Sequence, residues 1–183
     1  RYDALLDGGW AWQQASLMRS IYHHPRGSQE MSWLEHRIPP PLVGLIAAAA
    51  IWGTDGIAAP LRMPFPGHVA LALAIGVAAL AVDVAGMLAF LRARTTVNPL
   101  RPEKASALVT GGIFRWTRNP MYLGMGTLLV AWAVYLANPL SIVVIPFFVA
   151  YLNRFQIGPE ERALEQRFGA EFRAYRQRVR RWL

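Results

Sequence analysis

Between Asn119 and Asn153 the chain carries no charged side chain, and the Asn138-Pro139 pair interrupts this run near its middle. Proline has no amide proton to give inside a helix and an asparagine before it favours a turn, so the stretch reads as two apolar helices folded into a hairpin. Each arm, Met121 to Ala137 and Leu140 to Asn153, lies at or just below the short end of what crosses a hydrocarbon core of about 30 Å. The arms are therefore expected to extend past those limits or to sit in a thinned bilayer. Upstream, Val69 to Leu91 is long enough to span with some tilt, and Ile38 to Thr54 is a shorter candidate opened by Pro39-Pro40-Pro41. The expected fold is all-α and integral to the membrane, with about four spans near 38–54, 69–91, 120–137 and 139–156.

Composition agrees with that class. The 183 residues are 54% apolar and 16% charged, too greasy for an average soluble domain. There is no cysteine, which excludes a disulfide framework, a thiolate metal site and a cysteine nucleophile together. The formal charge of +8 would suggest nucleic acid in a soluble protein. Here the arginines flank apolar spans, where they attract anionic lipid headgroups and set orientation, so no nucleic-acid partner is expected. Arg92, Arg94, Arg101, Lys104, Arg115 and Arg118 follow the second span with only Glu103 among them, while the connections at Asp55 and Asn138 carry Arg62 alone. That bias predicts a multi-pass protein with both termini cytoplasmic, in the plasma or inner membrane if the source is a prokaryote.

The tail from Glu160 places Leu164, Phe168, Phe172, Tyr175, Val179 and Trp182 at steps of three and four, predicting an amphipathic helix over 160–182. Such a helix lies in the interface plane or packs under the bundle and does not cross. Glu160 and Glu161 sit in its first turn, where carboxylates also suit the helix dipole. Residues 1–30 mix Gly8-Gly9, Trp10, Trp12 and His23-His24 without a sustained apolar run, and read as an extension of unknown role ahead of a 31–183 membrane domain.

No metal signature stands up, because His23, His24, His36 and His68 all lie outside the hairpin without paired ligand spacing. Nucleophile elbow, phosphate loop and Rossmann fingerprint are likewise missing from the sequence. What remains is a constellation on one side of the hairpin: Asn98-Pro99, Thr110-Gly111-Gly112, Arg115, Arg118-Asn119-Pro120, Tyr122, Gly124 and Gly126 before or entering the third span, and Glu160-Glu161 leaving the fourth. An antiparallel hairpin makes these ends neighbours. Glycine at 124 and 126 lets a ligand or a neighbouring helix approach the backbone, and packing alone is an equal explanation. Asp83 is the one acid inside a span, a functional candidate by default, for which a structural hydrogen bond or a cavity water is the favoured reading.

The run from Gly112 to Gly124, then Asn138-Pro139, then Glu160-Glu161-Arg162-Ala163-Leu164 with Phe168-Gly169-Ala170-Glu171-Phe172 and Tyr175, resembles the isoprenylcysteine carboxyl methyltransferase superfamily. Membrane phospholipid N-methyltransferases share part of the pattern. The resemblance covers about Asn98 to Leu183 and implies S-adenosylmethionine as cofactor, bound by the loop before the hairpin and the acidic pair after it. Arg118, Pro120 and Tyr122 match the family's Arg-His-Pro-x-Tyr signature, with Asn119 in place of its histidine. Asparagine cannot titrate near neutrality, so a positioning role survives there and a proton-transfer role does not. The candidate cofactor-binding residues are Gly112, Arg118, Asn119, Pro120, Tyr122, Leu123, Gly124, Gly126, Glu160 and Glu161, and the candidates nearest the chemistry are Arg118, Asn119, Tyr122 and Arg154, with Arg115, Arg118 or Arg154 as a charge partner for the cofactor's carboxylate or an acidic substrate group. Methyl transfer from a sulfonium needs few protein groups, since the protein mainly aligns the reactants and excludes water. The implied acceptor is a lipid or small amphipathic molecule entering from the bilayer. Two alternatives remain, a membrane NADPH-dependent sterol-type reductase and a non-catalytic membrane subunit keeping the fold.

Overall fold

The computed structural model describes residues 38–93 and 107–183. Arg94, Asn98-Pro99, Arg101, Glu103, Lys104 and the 1–30 extension lie outside them. Helix α1 runs Pro40–Ile57, α2 His68–Arg92 and α3 Pro120–Leu136. After a 3-10 turn over Pro139–Val143, α4 runs Val144–Leu152, a π turn covers Asn153–Ile157, and α5 runs Gly158–Phe168 before α6 at Ala170–Arg178. The described residues form no strand, in line with the all-α membrane class. Among them, three helices are long and apolar enough to cross a membrane: Pro40–Ile57, His68–Arg92 and the continuous run Pro139–Phe168. Helix α3 has 17 residues, about 25 Å at 1.5 Å per residue, and is shorter than a usual span.

Prolines start two of these helices for the same reason. Pro40 and Pro120 occupy the first helical turn, where the missing amide proton would have no intrahelical partner anyway. The centre of the bundle is α3, which packs against α1, α2 and α4. Its contact with α1 and α4 is a core of Val43, Ala47 and Ile51 against Tyr122, Leu129 and Ala133 and against Phe148, Leu152 and Ile157. Lipid tails are as apolar as these side chains, so close packing rather than water expulsion holds them.

Helix α2 meets α3 by a different device. A side-chain carbon at Gly86 would lie 3.2 Å from Pro120 and 3.3 Å from Met121, one at Gly124 would overlap the Asp83 carboxylate, and one at Gly76 would lie 3.9 Å from Ala131. Positions rise on one helix as they fall on the other, an antiparallel pair brought together on small residues. The outer face of α2 stays apolar and exposed at Leu73, Val77, Leu80 and Leu91, as a lipid-facing surface requires.

The hairpin turn is built as its two central residues suggest. Ala137 adopts the left-handed conformation at φ 52°, and the Asn138 side-chain oxygen accepts from the Leu140 amide at 3.1 Å. The Asn138 amide donates to Asp55 Oδ1 at 3.2 Å and to the Ala58 carbonyl at 3.0 Å, and Arg62 Nε donates to the same Asp55 oxygen at 2.8 Å. The α1–α2 connection and the hairpin tip are thereby tied together at one end of the bundle.

At the other end the structure departs from the single helix expected over 160–182. The fourth span does not stop at Gly158-Pro159 but continues into α5, and the break comes later, at Gly169 with φ 52°. Helix α6 folds back under the bundle. Phe172, Tyr175 and Val179 pack with Phe114, Phe90 stacks edge-on to Phe114 at 5.2 Å, and the Tyr175 hydroxyl donates to the Phe114 carbonyl at 2.7 Å. Burial pushes the Tyr175 hydroxyl well above its ordinary pKa, so it stays a neutral donor there.

Candidate functional site

A 3-10 turn over Gly112–Arg115 leads into Thr117, Arg118 and Asn119, which lie alongside Arg180 and Arg181. The Arg118 amide donates to the Arg180 carbonyl at 3.0 Å. Thr117 Oγ1 and the Asn119 side-chain amide both donate to the Arg181 carbonyl, at 3.2 and 2.9 Å. Arg118 adds two bonds from one terminal nitrogen, to the carbonyls of Val179 at 2.6 Å and Arg176 at 3.1 Å. The segment after α6 is thus strapped across the approach to α3.

The acidic pair is divided between two tasks. Glu161 accepts from Arg118 at 2.6 Å and from Arg181 at 2.5 Å, with a further bond from Arg181 Nε at 3.1 Å. With the Arg118 and Glu161 side chains only 9% and 12% exposed, this is a largely desolvated, charge-assisted clamp. Glu160, one residue earlier, accepts instead from the Tyr122 hydroxyl, and no ion pair to it is found among the described residues. The π turn over Asn153–Ile157 sits just upstream of both. One extra residue in a turn rotates everything after it by about 100°, and such turns are frequent at functional sites.

These groups close one end of a cavity of about 800 Å³. Arg118, Asn119, Tyr122, Glu160 and Glu161 form its polar end, while Leu45, Leu80, Met87, Phe90, Met125 and Trp132 continue it as an apolar chamber. Leu45 is 67% exposed and Leu80 55%, and a residue that both lines a cavity and faces outward marks its mouth. Those residues lie on α1 and α2, which both pack on α3 and leave a gap between themselves. The cavity therefore opens sideways, toward lipid, and its size is in the range of small-molecule sites.

The expected site residues separate into those that meet here and those that do not. Arg118, Asn119, Pro120, Tyr122, Glu160 and Glu161 converge on the cavity. Gly124 stands behind it against Asp83, Gly126 faces Phe148 of α4, and Gly112 is exposed in its turn at φ 59°. Leu123 is half-buried and Arg154 exposed beside the Phe155 ring, and neither is part of the lining. Arg181 holds half of the Glu161 clamp without having stood out in the sequence, where it was one arginine among many in the tail. Asp83 lines the cavity, and the signal for it was a charge at span depth.

A nucleoside-bearing amino acid cofactor fits this donor set. Arg118 Nε is buried and has no hydrogen-bond partner among the described residues, a donor left over for a carboxylate. Glu160 offers a carboxylate that no guanidinium among the described residues pairs with, a match for an ammonium or ribose hydroxyl.

Residues 68–171, more than half of the chain, match the phospholipid methyltransferase family. An uncharacterized protein of Haemophilus influenzae is 46% identical over 63 residues, 34% of this chain and 100% of that protein. Protein-S-isoprenylcysteine O-methyltransferase of Saccharomyces cerevisiae is 33% identical over 79 residues, 43% of this chain and 33% of the enzyme. A probable protein-S-isoprenylcysteine O-methyltransferase of Oryza sativa subsp. indica is 39% identical over 103 residues, 55% of this chain and 50% of that protein. The chain thus spans a third to a half of the length of these two named relatives. No solved structure gives a significant match. The apolar helices, the cavity at their polar end and the family match over residues 68–171 agree, and the chain belongs to the phospholipid methyltransferase family of integral membrane proteins.

Proposed function

We propose that this protein transfers a methyl group from S-adenosylmethionine to a lipophilic or amphipathic acceptor that enters between α1 and α2. The observation that carries this reading is the continuity of one cavity, from the Arg118, Tyr122 and Glu160 end to an apolar mouth facing lipid. When bound, the cofactor supplies an electrophilic methyl group on a sulfonium. The chain's own residues bind and orient. Glu160, held by Tyr122, takes the ammonium or the ribose hydroxyls, and Arg118 Nε with Asn119 takes the carboxylate. Glu161 is occupied by Arg118 and Arg181, so its part is to fix the guanidinium of Arg118 and close the strap over the polar end, keeping water out.

Arg115 and Arg118 share one end of the bundle with the tail, consistent with a cytoplasmic polar end and with α6 arginines at the depth of anionic headgroups. The relatives' names point to methyl transfer and do not favour the reductase alternative. The test is incubation of the purified protein in native lipid extract with methyl-tritiated S-adenosylmethionine. A labelled lipid-phase product that depends on the protein, and falls about tenfold or more with Glu160→Ala, is the expected result. Cofactor binding with no labelled product in any extract would leave the non-catalytic alternative instead.

A further inference from the structure

The mechanism above leaves unused one half-buried carboxylate with a buried oxygen, Asp83. Asp83 projects from the middle of α2 into the cavity, beneath the Tyr122 end, and its Oδ1 is buried with no hydrogen-bond partner among the described residues. Its seat is specific. A side-chain carbon at Gly124 would fall 2.1 Å from Asp83 Oδ1 and 2.5 Å from its carboxyl carbon, so the glycine in α3 is what allows the carboxylate to lie there. The register is held on both sides by Gly86 against Pro120 and Gly76 against Ala131. Around it the lining is apolar, with Leu80, Val84 and Met87 on its own helix. An acid inside a span with one oxygen buried and unpartnered is unfavourable unless something compensates it. A packing role does not explain it, since no described residue donates to Oδ1.

We propose that Asp83 anchors the head of the methyl acceptor, and that this head carries an N–H or O–H and is not a carboxylate. The inference rests on the methyl-transfer reading and narrows its substrate class. An amine or hydroxyl head entering along the apolar chamber meets Asp83, the one charged side chain of the described lining outside the cofactor end. Its hydrogen bond to Oδ1 satisfies the orphaned oxygen and turns the heteroatom's lone pair toward the cofactor end. As that lone pair forms its bond to the methyl carbon, the carbon–sulfur bond breaks with its electrons passing to sulfur, and the head's proton passes to Asp83. Charge cancels within the cavity, because sulfonium and carboxylate are consumed together. A carboxylate head would set two like charges against each other in a low-dielectric chamber, and is rejected on that ground.

The test needs no cofactor in its first arm. The full chain in phosphatidylcholine nanodiscs is titrated with tritiated dodecylamine, dodecanol and dodecanoate, and saturable binding is read by scintillation proximity. Wild type is expected to bind the amine or the alcohol at least about tenfold more tightly than the carboxylate. Asp83→Asn, which keeps the shape and removes the charge, is expected to reduce that preference to under about threefold while leaving S-adenosylmethionine affinity within about twofold. Gly124→Ala, which keeps the carboxylate but takes its seat, is expected to do the same and serves if Asp83→Asn fails to fold. Equal binding of dodecanoate by wild type, or an unchanged preference in a folded variant, overturns the proposal. Head selectivity without any S-adenosylmethionine binding would overturn the methyl-transfer reading and the proton step, and leave the anchoring role standing.

Discussion

Adjacent carboxylates on a helix point about 100° apart, and at Glu160 and Glu161 that angle separates a carboxylate met by one phenol from a structural clamp. The neighbours decide which is which. Glu161 is met by two guanidiniums and Glu160 by one phenol, so the same substitution at the two positions should give different losses. Glu161→Ala should lower stability by about 2 kcal/mol, seen as an earlier thermal transition in detergent, because it leaves Arg118 unpaired at 9% exposure. Glu160→Gln should leave that transition within about 0.5 kcal/mol and act on ligand affinity instead. Arg118→Lys should behave like the Glu161 variant, since one ammonium cannot reach Glu161, Val179 and Arg176 with a fork of donors. Much of this was legible as composition and order: the Arg118, Pro120, Tyr122 and Glu160-Glu161 pattern already set the polar groups at one end. The task of Asn119 was not. Its amide donates to the Arg181 carbonyl, a contact across the fold that local spacing has no means to show.

At the scale of elements, breaks in the chain carry as much information as the helices. Asn138-Pro139 announced the hairpin because both residues act locally, one through its missing amide proton and one through its side-chain bond to Leu140. Asn138→Ala should cost about 1–3 kcal/mol in thermal unfolding, as it removes the Asp55, Ala58 and Leu140 bonds of a residue 2% exposed. The break at Gly169 escaped the hydrophobic pattern, because Phe168 and Phe172 keep helical spacing across it. Its signature is a positive φ that glycine alone adopts without strain. Gly169→Ala should therefore destabilise the docked α6 by about 1 kcal/mol, measured as faster amide exchange at Phe172 and Tyr175. The π turn at Asn153–Ile157 left no trace in residue type, since it depends on how the two ends of α4 and α5 are held.

The described residues form a bundle with α3 at its centre and a slot between α1 and α2, polar at one end and open to lipid along its side. Length and hydropathy made the spans visible early, while the slot arises from α1 and α2 both choosing α3 as partner, which is a property of packing. Val84, half-exposed and lining the slot, offers a way to close it. Val84→Trp should lower kcat/KM for a membrane-borne acceptor by about tenfold or more and leave cofactor affinity in place, because Val84 lines the slot away from Arg118, Tyr122 and Glu160. The account as a whole turns on whether the polar end is a cofactor site. Calorimetric titration of the intact protein in detergent with S-adenosylmethionine measures this directly. Saturable heat in wild type, weakened about tenfold or more by Glu160→Ala, is the predicted result. No binding by folded wild-type protein at a cofactor concentration of about 1 mM would contradict it.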